Sequence, residues 1–451
     1  MKVALHNLGC KVNAYELECM GELMEQAGYT IVDFEKDLAD IYIINTCSVT
    51  NMADRKSRQM LHRAKKLNPK AIVVAAGCYV QAFPEEVMRD ASVDVVIGNN
   101  RKRDVVELVE AYLRDGSIGQ EENVIDIMHS REYEDMSIAS AEHIRAYIKI
   151  QDGCNQYCSY CIIPFTRGHV RSRRPGEIYR EIQVLSQKKY KEVVLTGIHI
   201  SSYGLDFYEE KKSYNKEFRT SARELLDLIR EISKIEGIER IRLSSLEPRI
   251  ITEEFVSELV NYPKVCPHFH LSLQSGCNDT LKRMVRGYTA EEFMESCKIL
   301  RKYYDHPAIT TDIIVGFMGE TPEEFAQTED FLEQVKFYEM HVFKFSPRKG
   351  TQAMRLKNPV PDTIKTQRSD ILLSMTKRQS RAYREYYLGS DVEVLVEEED
   401  VILGKTYMVG HTPNYLKVAI PSSQNVAIND LVKVNCLQML TEEVVLGTCV
   451  K

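Results

Sequence analysis

The chain has 451 residues, 44% apolar and 28% charged, and a formal charge of −7, so a globally basic nucleic-acid-binding protein is excluded, though a local basic patch is not. No apolar run approaches the roughly 18 residues a membrane helix needs, and the start, MKVALHNLGCKVN, reads as a strand rather than a signal peptide. A cytoplasmic protein of about two to four domains, with no membrane partner, is expected.

Three apolar runs near the start each end in a cysteine: MKVALHNLGC at Cys10, IYIINTC at Cys47 and AIVVAAGC at Cys78. Helix-like stretches follow them at 15–25, 52–66 and 84–89. Strand–helix alternation predicts parallel strands, which puts all three cysteines at strand carboxyl ends, the edge where open α/β sheets bind ligands. Residues 1–113 are therefore expected to form one parallel α/β domain. The polar, aperiodic stretch 114–142 reads as a linker.

A second series follows within 143–375. Candidate strands lie at 144–151, 192–197, 240–246, 268–274, 310–317 and 341–346, separated by amphipathic helices such as 176–188, 222–234, 289–304 and 321–336. Six βα units predict a partial (β/α) barrel with its chemistry at the carboxyl ends of the strands. Polar motifs gather there: Gln151-Asp-Gly-Cys154, Thr196-Gly-Ile-His199, Ser244-Ser-Leu-Glu247, Gln274-Ser-Gly276 and Ser346-Pro-Arg348. After a long helix at 363–387, short alternating strands over 380–449 (VEVLVEEED, YMVGHT, YLKVAIP, LVKVNCLQML, EVVLGTCV) predict a small all-β barrel of a kind that binds nucleic acid. The predicted fold class is α/β with this C-terminal β module.

Twelve cysteines in a reducing compartment point to metal or redox chemistry rather than disulfides. Cys19, Cys266, Cys277, Cys297, Cys436 and Cys449 stand alone and read as small buried apolar residues. Cys154-Asn-Gln-Tyr-Cys158-Ser-Tyr-Cys161, at the end of a predicted strand, has the spacing for three thiolates on three irons of a cubane cluster, leaving the fourth iron open. A zinc site with His169 as fourth ligand is the rival.

CNQYCSYC resembles the CxxxCxxC motif of the radical S-adenosylmethionine (SAM) enzymes. The resemblance implies that SAM chelates the open iron and is cleaved there to methionine and a 5′-deoxyadenosyl radical. LGCKVNAYE, INTCSVT and AGCYVQ resemble the cysteine motifs of the methylthiotransferases, a branch of that family. This implies a second, auxiliary 4Fe-4S cluster on Cys10, Cys47 and Cys78 that carries the sulfur, beside the radical cluster on Cys154, Cys158 and Cys161. It also identifies the C-terminal module as TRAM, the RNA-binding domain of the family. One SAM methylates the sulfur and a second supplies the radical. The expected partners are tRNA, through its anticodon stem-loop, and an electron donor such as flavodoxin or ferredoxin.

Gly9-Cys10-Lys11-Val12-Asn13 resembles the members acting on threonylcarbamoyladenosine of tRNA. Members acting on isopentenyladenosine usually show Gly-Cys-Gln-Met-Asn, and those acting on ribosomal protein S12 usually show Gly-Cys-Pro-Lys-Asn. Both substrates remain alternatives here, as does a zinc-stabilised RNA-binding protein without catalysis. The candidate SAM contacts are Gly197, His199, Ser244, Ser245, Glu247, Ser272, Gln274 and Arg348. Two basic stretches are candidate tRNA contacts: Arg55, Lys56, Arg58 and Arg63, and then Arg167, Arg171, Arg173 and Arg174. If the C-terminal module only delivers tRNA, removing residues beyond about Arg384 should weaken RNA binding and leave both clusters in place.

Overall fold

The computed structural model describes residues 1–117, 119, 123–208 and 214–450, with the backbone alone for 214–221. The N-terminal unit contains β1 (Lys2–Asn7), α1 (Lys11–Gln26), β2 (Thr30–Val32), β3 (Ile41–Thr46), α2 (Asn51–Leu67), β4 (Ile72–Gly77), α3 (Cys78–Ala82), α4 (Pro84–Met88), β5 (Val95–Ile97) and α5 (Val105–Asp115). Its five strands are parallel, in the order β2-β1-β3-β4-β5. Strands β3 and β4 are buried along their whole length, as their unbroken apolar sequences IYIINT and IVVAAG require of strands covered on both faces. Tyr42, Ile44, Val73 and Ala75 pack on one side, and Ile41, Ile43, Val74 and Ala76 on the other. The three central strands are those that end in cysteines. The short edges β2 and β5 were not predicted.

The second unit contains β6 (Arg145–Asp152), α6 (Ile163–Arg167), β7 (Arg171–Ser172), α7 (Pro175–Gln187), β8 (Glu192–Gly197), α8 (Tyr214–Ser233), β9 (Arg240–Leu243), α9 (Glu253–Leu259), β10 (His268–His270), α10 (Asn278–Arg283), α11 (Ala290–Tyr303), β11 (Ala308–Val315), α12 (Pro322–Val335) and β12 (Glu339–Lys344). Parallel pairing joins β6-β8-β9 and β10-β11-β12, and isolated parallel bridges such as Leu246–Leu271 connect the two sheets. The result is the partial barrel. Ile148, Ile150, Val193, Leu195, Ile241, Phe269, Ile309 and Ile313 share one apolar core with residues of the surrounding helices, including Ile178, Leu225, Phe293 and Leu332. Capping boxes start α11 at Thr289 and α12 at Thr321, each with a glutamate at the third helical position.

The stretch expected to be a linker is strapped down. Met136 and Ile138 belong to the barrel core, and Tyr15 of α1 donates to the Met136 carbonyl at 2.7 Å.

Helix α13 (Asp362–Glu385) leads to β13 (Asp391–Ile402), β14 (Lys405–His411), β15 (Lys417–Pro421), β16 (Leu431–Met439) and β17 (Val445–Cys449), a closed barrel in the order β13-β14-β15-β17-β16. This small barrel plugs the amino-terminal end of the larger one. Tyr415 stacks on His268 at 4.6 Å, Arg240 donates to the His411 carbonyl at 2.9 Å, and Arg242 to that of Pro413 at 2.8 Å. The truncation expectation is corrected accordingly. Removing the module strips Arg240 and Arg242 of partners, so it costs stability as well as RNA binding.

Candidate active site between two cysteine triads

Cys10, Cys47 and Cys78 follow the carboxyl ends of β1, β3 and β4, three adjacent strands. Cys10 and Cys78 each start a helix, α1 and α3. Gly9 (φ +105°) allows the approach, because a Cβ there would meet the Cys47 sulfur at 2.8 Å. Burial and the neighbouring Cys78 and Cys10 push the Cys47 thiol up to about 12. Cys10 opens onto the space between the units. Desolvation by the surrounding walls raises its pKa, Arg167 pulls it down and Cys78 raises it again. The mutual effects place the three thiols in one another's field.

The second triad lies on the loop after β6. Gly153 (φ +72°) makes that turn, and a Cβ there would collide with the His169 carbonyl oxygen at 1.9 Å. The Cys154 amide donates to Gly168 at 3.0 Å, Cys161 to Cys158 at 2.9 Å, and Ser159 to Met284 at 3.0 Å, so the loop is tied to the barrel at several points. Burial, then Cys158, pushes the Cys154 thiol up to about 12, and burial, Cys158 and Cys154 raise Cys161.

Both triads fit iron–sulfur clusters better than zinc. Among the described residues, the sets of three ligand atoms within 4.8 Å of one another are His270/Asp312/His341 and Glu18/Glu142/His143, and neither triad is one of them. One zinc ion, with Zn–S bonds of about 2.3 Å, would draw tetrahedral sulfurs to about 3.8 Å apart. A cubane takes each thiolate on a different iron, and so spaces the sulfurs more widely. His169 is engaged with Asn155 at 3.1 Å rather than with the cysteines.

Helix α6 joins the two triads. It begins two residues after Cys161 and ends in Arg167, whose Nε donates to the Cys78 sulfur at 3.3 Å. Five residues of helix span only about 7.5 Å. Asn99 adds a donor to the same sulfur at 3.6 Å and a second bond to the Thr166 carbonyl at 2.7 Å. Arg167 is fully buried and also binds Glu16 and Asn13. Glu16 in turn pairs with Lys102 and with Lys149, the latter at 2.6 Å.

Sequence reasoning placed Arg167, Arg171 and Arg173 among the tRNA contacts, and the structure corrects this. All three are buried. Arg171 faces Asp152 at 3.7 Å, while Arg173 binds Glu181, Asp135 and Tyr15. Arg174 is exposed, over the Phe207 ring. On α2, Arg58 bonds Tyr79 and Glu86, and Arg63 bonds Glu35. Arg55, Lys56 and Lys66 are exposed and, among the described residues, carry no ion pair.

Arg348 was expected at SAM. It lies instead against the N-terminal unit, buried and bonded to Ser48 at 2.7 Å, Asn51 at 2.6 Å and Asp54 at 2.6 Å, next to Cys47. The other expected SAM contacts gather on the strand ends. His199 bonds Ser202 through Nδ1 at 2.6 Å and leaves a buried Nε2 without a partner among the described residues. Burial, with Arg286 and Arg249 adding repulsion, pulls that imidazole down to about 3, so it is neutral. Glu247 accepts from Arg249 at 2.5 Å through one oxygen and leaves Oε2 buried without a partner among the described residues, and burial pushes its carboxyl up to about 8. Gln274 sits in the left-handed region (φ +74°). Gly197 packs against the Gln151 carbonyl, Ser244 donates its amide to Leu195, Ser245 is exposed, and the Ser272 carbonyl accepts from Tyr288.

Arg286 was missed. It donates to the Cys158 sulfur at 3.2 Å and to the Ser272 carbonyl at 3.1 Å, and its charge reaches Glu247 and His199. Its signal in the sequence was only an arginine before a glycine at the close of a helix.

Residues 148–332 match the model of the radical SAM superfamily, and residues 2–98 match that of the uncharacterized protein family UPF0004. The threonylcarbamoyladenosine tRNA methylthiotransferase MtaB of Bacillus subtilis (strain 168) is 40% identical over 97% of this chain and 94% of its own. The chain belongs to the radical-SAM methylthiotransferase family. A second relative, MtaB of Aquifex aeolicus (strain VF5), is 40% identical over 90% of this chain and 96% of its own. A third, named tRNA-2-methylthio-N(6)-dimethylallyladenosine synthase, from Moorella thermoacetica, is 34% identical over 88% of each chain. Among solved structures, the radical SAM methyltransferase TsrM from Kitasatospora setae superposes with a TM-score of 0.54 at 14% identity, covering 76% of this chain and 74% of that one, a likeness of fold. As a radical-SAM methylthiotransferase the chain is an enzyme whose cofactors are SAM and two 4Fe-4S clusters. No described helix is long and apolar enough to cross a membrane.

Proposed function

We propose that this enzyme replaces the C2 hydrogen of the N6-threonylcarbamoylated adenosine beside the tRNA anticodon with a methylthio group. The observation that carries the reading is the 40% identity, over 97% of the chain, to a relative named for that substrate. The motif Gly9-Cys10-Lys11-Val12-Asn13 supports it. When bound, the clusters and SAM supply the sulfur, the methyl group and the radical that removes the C2 hydrogen.

In this reading Cys10, Cys47 and Cys78 hold the auxiliary cluster, and Cys154, Cys158 and Cys161 the radical cluster. Helix α6, which begins two residues after Cys161, and Arg167, which donates to the Cys78 sulfur, tie the two triads together. Glu247 Oε2 and His199 Nε2, without partners among the described residues, are a carboxyl oxygen and a neutral ring nitrogen ready for the polar groups of SAM. Gly197, Ser244, Ser245, Ser272 and Gln274 line the same strand ends. Arg286 offsets the negative charge gathered at Cys158. Arg55, Lys56, Lys66 and Arg174 are the exposed cations left to meet tRNA phosphates, together with the C-terminal barrel. In this reading the units are a cluster domain at about 1–113, a radical-SAM barrel at about 143–375 whose core also takes Met136 and Ile138, and an RNA-binding barrel at about 380–449. The enzyme works in the cytoplasm with an external one-electron donor such as flavodoxin or ferredoxin.

The test is in vitro. Purified protein with both clusters, SAM and a reductant is given tRNA bearing threonylcarbamoyladenosine, tRNA bearing dimethylallyladenosine, and ribosomal protein S12. Nucleoside and peptide mass spectrometry should find the methylthio group on the first alone. Its appearance on the second or third would reassign the substrate.

A further inference from the structure

The inside of the barrel is polar. Register puts Arg145 beside Glu192 and Glu192 beside Arg240, and likewise His270 beside Thr310 and Asp312 beside His341. The alternate residues Ile148, Val193, Ile241, Phe269, Ile309 and Ile313 pack outward into the apolar core. Barrels of this type ordinarily fill their interior with branched apolar side chains. Here that would block the space, and charged and imidazole groups stand instead.

The floor of this space is closed by the C-terminal module. Arg145 and Arg242 lie over the Tyr415 ring at 5.1 and 4.9 Å. Arg242 pairs with Glu192 at 2.7 Å, and Arg145 with Glu397 at 3.1 Å. Above the floor His270 bonds Thr310 through Nδ1 at 3.0 Å and Asp312 through Nε2 at 3.2 Å, with the exposed His341 ring 5.8 Å away.

Lys11 enters from the opposite side. It follows Cys10 at the start of α1, its side chain is exposed, and among the described residues it makes no hydrogen bond or ion pair. Besides desolvation between the units, which lowers its pKa, the groups in whose field it lies are Tyr415 of the plug and Arg145, Arg242 and Glu192 of the barrel's inner surface, and its charge also reaches His268. Glu192 Oε1 bonds Arg242 at 2.7 Å, and its Oε2 lies 3.7 Å from Arg240. Among the described residues Lys11 is therefore a cation with no ion pair, attached beside a cluster cysteine and facing a chamber lined with hydrogen-bonding groups.

We propose that this chamber takes the N6 substituent of the target adenosine, and that Lys11 binds its carboxylate while His341 meets its carbonyl and hydroxyl oxygens. The inference rests on the substrate reading above. A threonylcarbamoyl group carries these oxygens and a negative charge. A dimethylallyl group has neither, and would leave Lys11 and the His341 imidazole facing apolar carbon.

The experiment uses the full-length protein with both clusters and three anticodon stem-loops: one with threonylcarbamoyladenosine, one with its carboxylate methyl-esterified, and one with unmodified adenosine. The wild type should bind the free carboxylate roughly tenfold or more tightly than the ester. Lys11→Gln should bind both alike, at the level of the wild type with the ester, and Lys11→Arg should keep a preference. Undiminished discrimination in Lys11→Gln overturns the proposal, and so does equal weakening on all three RNAs, which would mark a phosphate contact. Iron content is measured alongside, because Lys11 adjoins Cys10. If that variant loses iron, His341→Ala decides, and unchanged relative affinities for the three RNAs in it overturn the chamber. Wild-type conversion of the first RNA is assayed in parallel. Its failure sinks the substrate reading, whereas conversion with unaltered discrimination in the variants sinks only this inference.

Discussion

Arg167 Nε lies 3.3 Å from the Cys78 sulfur, joining the last residue of a helix in the barrel unit to the end of a strand in the N-terminal sheet. A guanidinium donating to a thiolate stabilises its charge and fixes its direction. Arg167→Met should therefore lose the auxiliary cluster first. Iron analysis should fall by about half, toward roughly four irons, while reductive SAM cleavage persists. Full iron content with normal methylthio transfer would contradict this role.

Glu16 is buried among Arg167, Lys102 and Lys149. Those cations hold its carboxyl far below the ordinary range despite the opposing effect of burial, and Asp152 is lowered likewise. Glu16→Gln leaves buried positive charge uncompensated and should cost about 3–5 kcal/mol in denaturant unfolding. A depressed carboxylate contributes stability above its unfolded pKa and loses it as pH falls. The gap between wild type and variant should thus be full at neutral pH and close below about pH 4. A gap unaffected by acid would refute the ionic origin.

Arg286 places a positive charge and a donor on Cys158, at 3.2 Å. Charge and hydrogen bonds to the sulfurs set cluster potentials. Arg286→Gln should make the radical cluster harder to reduce, by tens of millivolts in order of magnitude, and slow SAM cleavage. Potentiometric electron paramagnetic resonance reads the shift directly, and an unaltered midpoint would remove Arg286 from the site.

The exposed cations of α2 make a salt-dependence prediction. Each phosphate contact contributes about 0.7–0.9 to the slope of log K against log salt. Replacing Arg55, Lys56 and Lys66 together by Gln should lower that slope by about two to three for tRNA binding, without loss of iron. Replacing the already paired Arg58 and Arg63 should change it far less.

The sheet-forming segments were legible because burial on both faces writes itself as unbroken apolar runs, and each run stops at a cysteine. The gathering of Cys10, Cys47 and Cys78 on one edge was legible for the same reason, since parallel strands put their carboxyl ends together, whereas Cys154, Cys158 and Cys161 were grouped by their spacing on one loop. What was not legible is where the charges go. Arg167, Arg171 and Arg173 look in sequence like a basic stretch beside a reactive centre, but Glu16 lies 151 residues away from Arg167 on another unit. Arg348 likewise finds Ser48 across 300 residues. Only the folded contact distinguishes a buried ion pair from a phosphate clamp. The short strands β2 and β5, of three residues each, carry too little pattern to be seen. The plugging of the barrel by Tyr415 depends on docking, which no periodicity records.

The most direct test of the whole account is mass spectrometry of tRNA nucleosides from cells with and without this gene. The account predicts that loss of the gene removes 2-methylthio-N6-threonylcarbamoyladenosine and leaves its unthiolated precursor to accumulate. Loss of the methylthio-isopentenyl nucleoside instead, or no change in either, would contradict it.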